Sequence, residues 1–324
     1  MPLPIARRAF IAALLLAAAG RAPGQPRYPD KPVTLIVPFA PGGIADITAR
    51  TVAQAMAATL GQSVVVDNRP SAGSIVGSSA VAQAAPDGHT LLLMSNANAV
   101  SASLFKKLPF DVQKDFAPIG TLAAFDLALF VDAGSRLRSV AELLAEALAR
   151  PGKLTIGTIA AGSTQHLAAE LFKSRTGIDA VVVPYKGTPA VLTALRAGEI
   201  DLAFEIVAPL LAQLSARTVR ALAVTSDTRH PALTGVPTVA EAGVANYNVA
   251  SWNALAAPTG TPREIIERLN RAAREALASP AVRQRLGDLG VRALGGSPAD
   301  LGALLASEIA RWREVIVAAK IEPE

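Results

Sequence analysis

The chain has 324 residues, 51% of them hydrophobic and 4% aromatic, no cysteine, and a formal charge of +5. The missing cysteine excludes disulfides, thiol catalysis, Cys-liganded metals and lipid attachment through Cys. The length suggests two α/β domains, large enough to hold together by core burial alone.

The N-terminus predicts an export signal over residues 1–24. Arg7 and Arg8 precede an apolar run from Ala9 to Gly20, which is too short to serve as a membrane anchor. Ala22 and Gly24 suit the small-residue positions before a cut, so Gln25 would begin the mature, exported protein. Both ordinary secretory and twin-arginine export fit. Without Arg7, Arg8 and Arg21 the chain carries 28 basic and 26 acidic groups, a net +2. That balance is weak support for an anionic polymer partner. Basic residues are not interleaved with aromatics, which argues against nucleic acid.

A strand over 33–38 leads into Pro41-Gly42-Gly43 and a helix over 46–60 with Thr48, Val52, Met56 and Leu60 on one face. A short strand at 64–66, a loop over 67–73, a helix over 75–84 and a strand over 90–94 follow. This alternation predicts a parallel-type sheet. Residues 119–131 read as a first extended crossing. A helix over 139–149, strand 154–159, helix 163–174 and strand 180–184 come next. A helix at 188–197 and strands at 200–204 and 220–226 complete the middle of the chain. Residues 248–257 read as a return crossing, and the tail is helical. The two crossings predict a discontinuous first lobe, 25–125 plus 250–324, and an inserted second lobe, 126–249.

Two strand–turn–helix units carry the chemistry. In the first, Gly42 and Gly43 let a ligand approach the backbone, or simply end the strand tightly. Ala45 and Asp46 offer N–H groups at a helix start, where an anion is favoured. The Asp46 carboxylate would repel an anion, so its N–H is the expected contact. In the second unit, Gly162, Ser163 and Thr164 open a helix. One hydroxyl is expected to cap it and the other to meet a ligand oxygen. One such turn in each lobe would grip a small carboxylate from both sides. Phe39 fits either the core or a wall of the site. Ser95 and Asn96 follow strand 90–94 at its carboxyl end, where α/β sheets bind ligands, though an ordinary turn fits equally. Glu205 suits an amine, a hydroxyl or a hinge position. His89, His166 and His230 lack metal spacing, and no cofactor is expected. Ser163 beside His166 raises a hydrolase, but without a nucleophile elbow.

The run Pro38-Phe39-Ala40-Pro41-Gly42-Gly43-Ile44-Ala45-Asp46 resembles the first binding loop of the Bug family, the periplasmic receptors of tripartite tricarboxylate transporters. Asn68-Arg69-Pro70, Ala85-Pro86-Asp87-Gly88-His89, Gly162-Ser163-Thr164-Gln165-His166 and Val183-Pro184-Tyr185-Lys186-Gly187 extend the likeness along the mature chain. The resemblance implies a type II-like, two-lobed α/β binding protein. Its two three-layer domains would be joined by a two-segment hinge and would close around a small carboxylate. It implies membrane transporter subunits as partners or, alternatively, a sensor kinase, and a monomeric receptor with no catalytic residue. Three departures set this chain apart. Glu205 stands where Asp is usual, Ser101-Ala102 replaces Asn-Pro, and Ser95-Asn96-Ala97-Asn98 is atypical.

Overall fold

The computed structural model describes residues 28–159 and 162–323, so the expected signal segment and Ala160–Ala161 lie outside it. In chain order the first elements are β1 (Val33–Val37), α1 (Ile44–Leu60), β2 (Val64–Asn68), α2 (Ile75–Ala82), β3 (Thr90–Ser95) and α3 (Asn96–Leu104). The middle holds β4 (Phe116–Asp132), α4 (Val140–Ala149), β5 (Leu154–Ile159), α5 (Thr164–Thr176), β6 (Ala180–Tyr185) and α6 (Thr188–Ala197). Next come β7 (Leu202–Ile206), α7 (Leu211–Ser215), β8 (Val219–Val224) and β9 (Ala250–Pro258). The tail is α8 (Arg263–Ala278), α9 (Pro280–Gly287), β10 (Val291–Ala293) and α10 (Pro298–Ala318).

The strands run in the order β2-β1-β3-β9-β4-β7-β5-β6, with β8 and β10 also on β4. β4 organises the molecule. Its first part, Phe116 to Asp126, pairs with β9, whereas Leu127 to Asp132 pairs with β7 and β8. At ~3.3 Å per residue, this 17-residue strand is long enough to serve two sheets in turn. Each half keeps a parallel nucleus, β2-β1-β3 in one and β6-β5-β7 in the other. The whole is mixed rather than parallel, because β4 and β9 run antiparallel to their neighbours. A strand that leaves one half and a strand that returns to it must point in opposite directions.

Three apolar clusters follow from this layout. One lies between β1, β3 and helices α1 and α8 (Leu35, Val52, Met56, Leu269). A second lies under α6 (Phe130, Val191, Leu195). The third draws on both halves: Leu92 and Val100 from one, Leu167 and Phe172 from the other, and Trp312 of α10. α10 begins in a reciprocal cap between Ser297 and Asp300 and packs on α3, β4 and α5. At 21 residues it is about 31 Å long, enough to cover both halves.

The segment expected as an atypical loop at 95–98 is the start of α3. The Ser95 hydroxyl accepts from the Ala97 N–H at 3.2 Å and the Asn98 side chain accepts from the Ser95 N–H at 2.9 Å. That exchange satisfies helix-end donors that the sequence pattern left unassigned.

Candidate functional site

The first turn projects from the carboxyl end of β1. Gly42 is exposed with φ +80°, and a side chain there would meet nothing within 4 Å. The backbone thus takes a left-handed form that favours glycine and faces open space. Gly43 is the N-cap of α1, and no side chain caps this end. The N–H groups of the first turn, Ala45 and Asp46 among them, therefore have no side-chain cap. The Asp46 carboxylate is turned back into the protein and is buried. It accepts from the Gly42 N–H at 2.9 Å, from Arg50 Nε at 3.1 Å and from Asn68 Nδ2 at 2.9 Å. Burial opposes its ionisation, but these donors outweigh burial and hold its pKa below the ordinary carboxylate range. Asn68 also donates to the Phe39 carbonyl at 3.0 Å. Asp46, Arg50 and Asn68 together set the shape of the turn from Phe39 to Gly43. The Phe39 ring is half-buried against the core of that half.

The second turn follows β5. The Ser163 hydroxyl caps α5, accepting from the His166 N–H at 3.1 Å and donating to the Ile159 carbonyl at 2.9 Å. Its one proton is used within the turn. The Gly162 N–H donates to His166 Nδ1 at 3.2 Å, and burial lowers the pKa of that imidazole. Ser163 donates to a carbonyl rather than to an imidazole, which is not the arrangement of an activated nucleophile. Thr164, the first residue of α5, is only partly buried.

These two turns and the end of β3 share one region. β1 and β3 are parallel neighbours, with Ile36 opposite Leu92, so Gly42 and Asn96 leave the same end of one half-sheet. From the other half, Thr164 reaches Asn96: the Asn96 amide donates to Thr164 Oγ1 at 2.9 Å. Gly162, with φ +75°, packs on Leu104 of α3, whose methyl occupies the space a side chain would need. Asn96 is buried and also accepts from Trp312 Nε1 at 2.7 Å. Ser95 is buried and engaged in the α3 cap. Asn96 was legible as a ligand-binding or turn residue at the end of a strand, and Trp312 only as one apolar position on a helix face. Their partnership has no local signature.

Glu205 lies near the end of β7 and is fully buried. Burial pushes its carboxyl up to about 7, against the pull of Gln165, the Ile206 N–H and Thr188. Gln165 and Thr188 stand in the first turns of α5 and α6. One oxygen, Oε1, has no hydrogen-bond partner among the described residues. A separate depression of about 740 Å³, lined by Tyr28, Asp87, His89 and Arg268, lies at the amino ends of β1 and β3, away from the turns. Among the described residues, no group of three His, Cys, Asp or Glu side chains is placed to hold a metal, and no helix is long and apolar enough to cross a membrane.

The sequence profile described as "Tripartite tricarboxylate transporter family receptor" matches residues 48–321. Protein BugT of Bordetella pertussis is 38% identical over 291 residues, covering 89% of each chain. Among solved structures, Rpa4515 of R. palustris with adipate superposes with a TM-score of 0.81 at 38% identity, covering 92% of this chain and 100% of that one. MatC of Rhodopseudomonas palustris with bound malate gives 0.77 at 33% identity, covering 89% and 100%. With the same fold matched along nearly its whole described length, this chain belongs to the tripartite tricarboxylate transporter receptor family, in which its Bug-type sequence had placed it.

Proposed function

We propose that the protein is a periplasmic receptor that captures a small carboxylate between two lobes, 25–125 plus 250–324 and 126–249, and delivers it to the membrane subunits of a tripartite tricarboxylate-type transporter. No bond is made or broken. The observation that carries this reading is the meeting of the β1, β3 and β5 carboxyl ends, with an uncapped helix start on one side and Thr164 on the other. The N–H groups of the α1 first turn and the Thr164 hydroxyl are the groups we assign to the carboxylate. Oriented N–H donors at a helix start favour an anion, and hydrogen bonds to a charged group contribute roughly 1.5–3 kcal/mol each. Adipate bound to Rpa4515 and malate bound to MatC support the ligand class. Closure follows from differential affinity: a ligand touching both halves stabilises the state that brings them together. The leader 1–24 directs export.

A thermal-shift screen over small organic acids, beginning with adipate and malate, tests the reading. A true ligand present at 100 times its dissociation constant adds about 2.7 kcal/mol of stability and raises the melting temperature. A screen in which no carboxylate raises it, backed by flat calorimetric titrations, refutes the assignment.

A further inference from the structure

The hydrogen bonds around Asn96 have a fixed polarity. An indole N–H only donates, so the amide atom facing Trp312 must be the oxygen. The amide nitrogen is thereby turned toward Thr164, and Thr164 Oγ1 must accept from it. The hydroxyl keeps one proton to donate, and among the described residues it makes no second hydrogen bond. The other end of the chain is equally determined. Trp312 Nε1 is shared with the Glu308 carboxylate at 2.8 Å, and Glu308 in turn accepts from Arg311 at 2.8 Å. Arg311 also donates to the Asn248 carbonyl, just before β9 returns to the first half. Asn96, Trp312 and Glu308 are all buried, so solvent does not compete for these bonds.

We propose that Asn96 is a positioning residue: locked by Trp312, its amide fills one acceptor site of the Thr164 hydroxyl and so orients the remaining proton toward the ligand, which suits this corner of the site to a group with lone pairs. The inference rests on the receptor reading above and extends it. A carboxylate or carbonyl oxygen is accepted at Thr164. Because Asn96 and Thr164 belong to different half-sheets, the same bond ties ligand contact to the way the halves meet.

The test is a double-mutant cycle read by calorimetry with adipate, malate, succinate and acetate. Thr164→Val removes the donor and weakens binding of whichever of these acids the wild type takes up, by about 10- to 100-fold. Thr164→Ser keeps a hydroxyl and keeps the affinity. Asn96→Leu, or Trp312→Phe should that variant misfold, weakens binding in the Thr164 protein but adds nothing in the Thr164→Val background. With Trp252→Phe, Trp312 is the sole tryptophan, and its emission shifts on saturation with the acid, a shift that the Thr164→Val variant loses. Additive losses in the cycle, full affinity in both Asn96→Leu and Trp312→Phe, or failure of Thr164→Ser to restore binding would each overturn the inference while leaving the receptor reading intact. A wild-type protein that binds neither these four acids nor any other carboxylate in the thermal-shift screen overturns both.

Discussion

Replacing Glu205 with glutamine isolates a buried charge. Glu205 is fully buried, and its carboxyl is pushed up to about 7 from an ordinary 4.5. A carboxyl whose folded-state pKa is raised holds its proton more tightly when folded. Its contribution to stability is therefore complete below the unfolded pKa and disappears as pH rises through the folded one. With 1.36 kcal/mol per unit, the protein gives up roughly 3 kcal/mol between about pH 4.5 and 8 through this group alone. Glutamine is a neutral isostere and has no such dependence; the Glu205→Gln variant should therefore gain on the wild type as pH rises. Urea unfolding of both proteins at pH 5 and pH 9 measures the difference. Other groups, such as Asp46, titrate alike in both proteins and cancel. A gap between the two that stays constant within about 0.5 kcal/mol across this range would refute the account, because it would mean that Glu205 is solvated or paired.

Asp46→Ala removes the carboxylate that accepts from Gly42, Arg50 and Asn68, and is expected to cost about 1.5–3 kcal/mol in a thermal or urea melt. Since the pKa of Asp46 is lowered, the stability it supplies is present above the usual carboxylate pKa and is lost as pH falls through the lowered value. The variant and the wild type should therefore converge in acid. Gly162→Ala forces a side chain into a left-handed backbone at a cost of about 1–2 kcal/mol, with a further cost from the clash with Leu104. Adding Leu104→Ala should relieve only the second part, and a melt of the double variant that shows no recovery relative to the sum of the singles would refute this contact between the halves.

Several features of this protein could be read residue by residue. Gly42-Gly43 and Gly162-Ser163 announce strand-to-helix turns because only local backbone chemistry is needed: a left-handed position, a cap, and apolar periodicity on either side. The long apolar run that became β4 and the segment that became β9 were legible as extended chain for the same reason. The role of a polar side chain was not. Ser95 and Ser163 both looked able to face a ligand. In the fold their oxygens are engaged by Ala97, His166 and Ile159.

The sequence by itself determined the family, the alternation of strand and helix and the two strand-to-helix turns, since each is written in short runs of neighbouring residues. Tertiary structure alone decided that the sheet is mixed, that a C-terminal helix lies across both halves, and that Asn96 joins Thr164, 68 positions away, to Trp312, 216 positions away. The physical reason is that hydrogen-bond polarity in a buried network depends on which groups meet, and groups so distant along the chain meet only when two half-sheets and a helix have packed.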